Sequence, residues 1–249
     1  MRRLLLLGAA LWSAGVSAQG STQGSYCFSK ELPKPYVTPA FTGPMTYKVM
    51  QAEGKTVLLA EGQIEGGESG RLAAAMAQAG AIEEVWFNSP GGDALEGPAM
   101  GRILRKSGAM VRLTQGRACI SACSYAFLGG VVRIVDPGGY YGVHMFHSID
   151  SIGTLKLVDR VLSYNTQAKA LLDKGQPIDK VRGALVAAVS DDLRGFEQEA
   201  AQTAAIRARY LVEMSLSLDF MTDAFGTHST EVCYLNPQGL TRYNVTNAR

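Results

Sequence analysis

Histidine is scarce in this chain, with three among 249 residues, and no cysteine belongs to a Cys-x-x-Cys pair. Zinc sites are commonly built from such pairs together with suitably spaced histidines. Their absence argues against the common zinc motifs, and the sequence predicts neither a metal nor a cofactor. The scarcity also limits a histidine general base to His144, His147 or His228, unless a lysine takes that role.

A cluster of lysine and arginine is missing as well. Removing residues 1–18, which contain Arg2 and Arg3 and no acid, leaves 22 of the 24 basic residues against 22 acidic ones. Proteins that bind nucleic acid or anionic membranes usually carry a basic patch. The composition therefore predicts no nucleic acid partner and favours peptides or small molecules.

The apolar run at the N-terminus is short. It extends from Leu4 to Trp12, too few residues for a helix that crosses a hydrocarbon core of about 30 Å. A basic start, this run and the small residues ending at Ala18 predict a secretory signal peptide over residues 1–18, with an uncleaved anchor as the alternative. We expect an exported protein, periplasmic or extracellular, that is soluble after cleavage.

Four cysteines are present on a chain that we expect to be exported. Disulfides form and persist in oxidising compartments, so the sequence predicts two of them, and three pairings are open. The four candidates are Cys27, Cys119, Cys123 and Cys233.

The rest of the chain divides into an extended lead-in over residues 19–46, rich in Gly, Ser, Thr and Pro, and one domain over residues 47–249. Short apolar runs alternate with segments of helical periodicity in the first half of that domain. Such alternation is typical of an α/β fold with a mostly parallel sheet. The predicted strands are 57–60, 84–88, 110–114 and 133–135, and the predicted helices are 68–80, 97–107 and 121–128.

Long alanine- and leucine-rich segments follow, over 154–172 and 180–218, with a break at Gly175-Gln176-Pro177. They predict a helical insertion over about 150–195. Three roles for it are open: it covers a site, contacts a partner or lengthens an oligomer interface. Near the end, residues 234–240 predict a cap and a short helix against the core.

Two turns in the first half have the residues for acyl-transfer chemistry. Gly91-Gly92 directly follows a predicted strand, where glycine permits positive φ and backbone N–H groups can face an oxyanion. Ser121 lies where a strand turns into a helix, which suits a nucleophile but also a plain helix cap. Ser124 has the same hydroxyl group, so chemistry alone does not decide which of the two serines is the nucleophile. His144, at the end of the predicted strand 141–145, is a candidate base or a structural histidine.

These segments together resemble the ClpP peptidase family. Gly92 and Ser121 are 29 residues apart. Between these two residues the chain aligns with the family pattern without a gap. The similarity covers about residues 57–147 and parts of 234–240. The segments that carry it are Leu59-Ala60-Glu61-Gly62-Gln63-Ile64, Phe87-Asn88-Ser89-Pro90-Gly91-Gly92, Ala118-Cys119-Ile120-Ser121-Ala122-Cys123 and Gly142-Val143-His144.

The resemblance implies a ClpP/crotonase-like fold of repeated ββα units, here with an additional C-terminal helical elaboration. It implies that Ser121, rather than Ser124, is the nucleophile of a Ser-His-Asp triad and that His144 is the base. It also implies an oxyanion hole formed by the N–H groups of Gly92 and Ala122. The Cys-x-Ser-Ala-Cys segment and the signal peptide resemble an exported ClpP-like group.

The third member of the triad departs from the family pattern. The family's acid falls on Val232, so Glu231 is the nearest carboxylate and our candidate for the orienting group, with Asp219 and Asp223 behind it. Without an acid the imidazole would lack a partner that fixes its tautomer.

The leading interpretation is an ATP-independent serine peptidase that cleaves peptides or unfolded protein. No ATPase partner is expected, because soluble ATP is not expected where an exported protein resides. Assembly into a homo-oligomer stays open. The first alternative is a catalytically lapsed protein that binds a peptide or partner in the same groove. Two others are crotonase-type acyl-thioester chemistry, for which no nucleotide-binding motif is visible, and a serine–lysine dyad with Lys156.

Overall fold

The computed structural model describes residues 26–29, 43–146 and 151–248, without the side chains of 151–156. The predicted signal peptide, most of the predicted lead-in and His147 lie outside the described residues. The strands are β1 (Cys27–Ser29), β2 (Thr46–Ala52), β3 (Lys55–Glu61), β4 (Glu84–Asn88), β5 (Met110–Leu113), β6 (Ala118–Ile120), β7 (Val132–Val135), β8 (Tyr140–Val143) and β9 (Cys233–Leu235). The helices are α1 (Glu68–Ala79), α2 (Glu96–Ser107), α3 (Ala122–Leu128), α4 (Ser151–Asp173), α5 (Ile178–Glu213), α6 (Asp219–Gly226) and α7 (Pro237–Arg242).

Five strands form the larger sheet, in the order β2-β3-β4-β5-β7. The β2–β3 hairpin is antiparallel and the other pairs are parallel. Parallel neighbours need long crossovers, and α1 and α2 provide them for β3–β4 and β4–β5. Residues 57–60 of β3 are buried on both faces, as expected for a central strand covered by other layers. The chain is thus a mixed α/β protein.

A second sheet has the order β1-β9-β8-β6. An isolated parallel bridge joins Ser89 to Cys119, so the chain leaving β4 runs beside β6. The Ser89 N–H donates to the Ala118 carbonyl at 2.7 Å, and the Ile120 N–H donates to the Ser89 carbonyl at 3.0 Å. This junction brings the Gly91-Gly92 turn next to the end of β6, where Ser121 lies.

Both predicted disulfides are confirmed, and the pairing is one of the three that the sequence allowed. Cys27 and Cys233 link β1 to β9 across 206 residues, with a Cα–Cα distance of 5.1 Å. Cys119 and Cys123 bracket Ser121, with a Cα–Cα distance of 5.2 Å. One bond therefore closes most of the chain into a loop, and the other closes a single turn.

The helices α4 and α5 form a hairpin, and the connection between them contains the predicted break at Gly175-Gln176-Pro177. The helical region extends to Glu213, beyond the predicted limit of about 195. Only the last part of α5 packs into the core, where Tyr210 and Leu211 are fully buried and the Tyr210 hydroxyl donates to the Tyr125 carbonyl at 2.5 Å. No helix in the described part of the chain is both long and apolar enough to cross a membrane.

Most of the predicted strands and helices are present with small shifts at their ends. The short helix at residues 237–242 begins at Asn236, whose side chain accepts from the Gly239 N–H at 2.9 Å. Four elements were not predicted, namely β1, β2, β9 and α6. The side chains of β2 are exposed or half-buried, so its sequence has no continuous apolar run, and α6 is only eight residues long.

Candidate active site

Ser121 occupies a strained turn between β6 and α3. Its backbone has φ 58° and ψ −121°, a combination that costs a non-glycine residue on the order of 1–3 kcal/mol. Strain of this kind at a strand-to-helix turn exposes the side chain of the nucleophile in α/β-hydrolases. The Cys119–Cys123 disulfide closes the turn, and the Ser121 N–H donates to the Gly142 carbonyl at 3.1 Å. The surrounding structure therefore fixes an unfavourable conformation.

The Gly91-Gly92 turn packs directly against Ser121. A Cβ atom on Gly91 would lie 2.5 Å from the Ile120 carbonyl oxygen and 2.7 Å from the Ser121 Cβ. A Cβ atom on Gly92 would lie 2.0 Å from the Ile64 carbonyl oxygen. Both glycines also have positive φ, 93° and 139°. Glycine is therefore required at both positions, by space as well as by backbone conformation.

The N–H groups of Gly92 and Ala122, which are predicted to form the oxyanion hole, make no hydrogen bond within the described residues. Neighbouring groups are used, because Gly91 O accepts from the Ile64 N–H and the Asp93 N–H donates to Ile64 O. Within the described residues, the Gly92 and Ala122 N–H groups donate to no protein acceptor. Ala122 is the first residue of α3, whose N–H has no intrahelical partner. Two donors are thus available beside Ser121.

His144 directly follows β8, and its Nδ1 lies 2.7 Å from the backbone oxygen of Met145. A carbonyl oxygen only accepts, so Nδ1 carries the proton in this contact and Nε2 keeps its lone pair. That tautomer is the one a general base requires. In this structure a backbone carbonyl thus occupies the acceptor position beside His144 Nδ1.

Ser121, His144 and Gly92 line one cavity of about 50 Å³. This volume holds only a few water molecules, at about 10–15 Å³ for each. Within the described residues, the Ser121 hydroxyl makes no hydrogen bond, so a bond to His144 is not formed in this state. Such contacts commonly tighten only when substrate binds. The complete lining is Gly92, Ala94, Ser121, Ser124, Tyr125, Val143, His144, Phe146, Arg207 and Ala224.

The structure separates Ser121 from its neighbour Ser124. The Ser124 side chain is fully buried, and its hydroxyl lies 2.5 Å from the Gly142 oxygen and 3.2 Å from the Cys119 oxygen. A hydroxyl that donates to backbone carbonyls holds the turn together and is not available for attack. Ser124 is thus a structural residue of the cavity wall.

The three candidate carboxylates lie in different surroundings. Glu231 is exposed and does not line the cavity, and Asp219 is exposed and pairs with Arg242 at 3.5 Å. Asp223 is buried next to Ala224 of the cavity wall, and its burial raises the pKa of its carboxyl above the usual value.

The register of β8 and β9 shows which residue comes opposite His144 when the pairing is continued. Val143 pairs with Cys233 and Gly142 with Tyr234. Continued by one residue, this pairing sets Val232 opposite His144. Glu231 precedes this position and lies in the bend before β9, which begins at Cys233. The position opposite His144 is thus occupied by an apolar residue.

Of the other basic candidates, the structure describes only the side chain of His228, which is not among the residues that line the cavity. His228 is exposed, and its Nδ1 contacts the Thr230 hydroxyl at 2.8 Å. His147 and the side chain of Lys156 lie outside the described residues. Of the two histidines that the structure describes, His144 is the one that lines the cavity with Ser121.

Arg207, near the end of α5, lines the cavity, and sequence reasoning missed it. It is 5% exposed, and its guanidinium carbon lies 4.4 Å from the ring centre of Tyr125 and 4.8 Å from that of Phe146. It is one of several arginines on a long helix, and nothing in the helical pattern sets it apart. Only the packing of the end of α5 against α3 brings it to Ser121.

The chain was compared with protein families, curated proteins and solved structures. No family model matches the chain, and no curated protein matches it. Among solved structures it is similar to a mutant ClpP1 from Listeria monocytogenes, at 16% identity and a TM-score of 0.33, over 51% of this chain and 77% of that one. This likeness is too partial to decide fold family or activity.

Proposed function

We propose that this protein is an ATP-independent serine peptidase with a ClpP/crotonase-like architecture. The observation that carries the proposal is the strained turn at Ser121, which shares a cavity with His144 and lies against two glycines that no other residue can replace. The division into two sheets, with the cavity where β4 and β6 meet, supports the architecture.

In the proposed mechanism, Ser121 Oγ attacks the scissile carbonyl carbon and His144 Nε2 takes the hydroxyl proton. The N–H groups of Gly92 and Ala122 donate to the oxyanion of the tetrahedral intermediate. His144 then returns the proton to the leaving amine, and an acyl-enzyme forms on Ser121. Water, deprotonated by His144, hydrolyses that ester and regenerates the serine.

Met145 has an orienting role in this scheme through its backbone oxygen. The contact with Nδ1–H holds the ring and stabilises the imidazolium as it forms. Glu231 stays a proposal as an auxiliary group that acts from outside the cavity, and the register of β9 argues for a small contribution.

We also propose an oxidising compartment, periplasmic or extracellular, because all four cysteines are paired. The narrow cavity favours flexible peptides or unfolded segments over folded proteins. A homo-oligomer is a further proposal, and its support is the row of exposed aliphatic side chains on α4 and α5, including Val158, Leu162, Val186 and Leu193.

One observation favours a second candidate, a protein of this fold that binds peptides without cleaving them. The Ser121 hydroxyl makes no hydrogen bond to another described residue, His144 included. A lapsed enzyme would show this same feature.

A fluorophosphonate probe separates the two candidates, because it labels only an activated serine. We expect labelling of the folded protein at Ser121, located by peptide mass spectrometry, and its loss in His144→Ala. His228→Ala is the matched control, since that histidine is exposed and away from the cavity. Folded protein that resists the probe would contradict the peptidase and favour the binding protein.

A further inference from the structure

Arg207 is the buried charge closest to the proposed chemistry, because it lines the same cavity as Ser121 and His144. Its guanidinium lies against the rings of Tyr125 and Phe146. Nearby, the Tyr210 hydroxyl bonds to the Tyr125 carbonyl and fixes the end of α5 on α3. The position of the guanidinium is therefore set by well-packed neighbours.

The charge of Arg207 has no partner in the part of the chain that the structure describes. Its Nε is buried without a hydrogen bond, and no carboxylate lies within ion-pair distance. Arg105 and Arg117 also have a buried Nε without a partner, but each donates from another nitrogen. Arg207 donates from none of them.

Arg133 is a second buried arginine, and its guanidinium is hydrogen-bonded within the fold. It is 1% exposed, and it donates to four backbone carbonyls, those of Leu128, Gly130, Asn244 and Val245. Burial of a cation is costly unless it is paired or hydrogen-bonded, and stacking on aromatic rings offsets only part of that cost. The contrast indicates that Arg207 is kept for an acceptor supplied from outside.

A second donor on the same wall has no acceptor either. The Tyr125 side chain lines the cavity and is 4% exposed, and its hydroxyl has no hydrogen bond among the described residues. A guanidinium and a phenol that both lack acceptors suit a planar anion with two oxygens. The cavity of about 50 Å³ has room for a group of that size.

We propose that Arg207, with Tyr125 as a second donor, binds a carboxylate of the substrate beside Ser121. This inference rests on the proposed function in that the ligand is a peptide, whose anionic groups are carboxylates. The carboxylate is either the C-terminal one or that of an Asp or Glu side chain. The first would make the enzyme act near chain ends, and the second would make it select acidic residues.

The test measures binding to Ser121→Ala, which cannot turn over, by calorimetry with four six-residue Gly/Ala/Ser peptides. Two differ in a terminal carboxylate against a terminal amide, and two amide-capped ones differ in a central Glu against Gln. We expect one pair to favour the carboxylate by about tenfold or more, as for a hydrogen bond to a charged group. Equal affinity within both pairs, or no binding, would overturn the inference.

The variant arm adds Arg207→Met, which keeps an unbranched side chain between the two rings. It should bind the neutral peptide as before and lose the preference for the carboxylate, whereas a purely structural role would weaken both peptides alike. Arg102→Met is the matched control, because Arg102 stacks on Tyr210 at 5.2 Å but is exposed and pairs with Glu213 outside the cavity. If Arg207→Met does not fold, the preference of Ser121→Ala alone decides.

Fluorophosphonate labelling keeps the two proposals apart. Labelling of Ser121 without any carboxylate preference would overturn the role of Arg207 and leave the peptidase intact. Carboxylate binding that depends on Arg207, without labelling, would overturn the peptidase and leave a carboxylate-selective binding site.

Discussion

The segment around Ser121 and the helical hairpin differ in how completely their apolar residues are packed. From Ala118 to Gly130, every residue except Ser121 is buried. In the hairpin, Val181 is the one fully buried residue between 157 and 206, although valines and leucines are frequent there and many are exposed. The first region is specified by contacts from distant parts of the chain, and the second by local helix propensity.

The difference in packing suits the segment around Ser121 to the proposed catalysis and the α4–α5 hairpin to contact with another surface. A strained turn persists only when its surroundings over-determine it, and the dense packing around Ser121 meets that condition. An exposed aliphatic row instead suits contact with another surface. The predictions below therefore place lost turnover in the first region and small effects on stability in the second.

The largest expected effect is on turnover. Ser121→Ala and His144→Ala should each lower kcat by at least about a thousandfold, and the double variant should be little worse, because the two residues act as a unit. The assay is cleavage of an unfolded casein-type substrate, with unfolding midpoints measured to show that each variant folds. Equal turnover in wild type and Ser121→Ala would show that Ser121 is not the nucleophile.

The two disulfides should differ in their effect on the free energy of unfolding. In the chain-entropy treatment, opening a loop of about 200 residues costs about 5 kcal/mol, and opening a four-residue loop costs about 2 kcal/mol. Cys27→Ala/Cys233→Ala should therefore lose more stability than Cys119→Ala/Cys123→Ala in urea unfolding. Turnover should show the reverse order, because the short loop holds Ser121; the same order in both measurements would mean that this loop does not fix the turn.

Gly92→Ala should lower kcat by about a hundredfold to a thousandfold, the usual result of losing one oxyanion donor. The added Cβ would lie 2.0 Å from the Ile64 carbonyl oxygen, so the backbone must shift. Gly66→Ala is the control, since nothing lies within 4 Å of its Cβ position. Full turnover in Gly92→Ala would exclude this N–H from the oxyanion hole.

The sequence predicted the parts of this site that depend on local pattern. Apolar runs located β3 and β4, and glycines after a strand located the turn at Gly91-Gly92. Other parts depend on contacts between distant segments and leave no local signal. The Ser124 hydroxyl lies within hydrogen-bond distance of two backbone oxygens and the Ser121 hydroxyl does not, a difference that only the folded chain shows. Arg207 reaches the cavity only through the docking of α5.

Glu231→Gln tests the smallest effect expected on turnover. Its side chain is exposed and does not line the cavity, and His144 Nδ1 already bonds to the Met145 oxygen. We expect kcat to change by less than about threefold, a barrier change below about 0.7 kcal/mol. A loss of tenfold or more, with the unfolding midpoint unchanged, would assign an orienting role to this carboxylate.

The smallest effect on stability is expected in the exposed part of α5. Leu193→Ala should change the free energy of unfolding by no more than about 0.5 kcal/mol, as for most surface substitutions, because Leu193 is 56% exposed. Leu211→Ala, on the same helix but fully buried, should cost about 2–5 kcal/mol. Equal costs would mean that the face of the hairpin is covered in solution. A melting temperature that then rose with protein concentration would identify a second copy of the chain as the cover, whereas a constant one would show that the hairpin packs on its own chain.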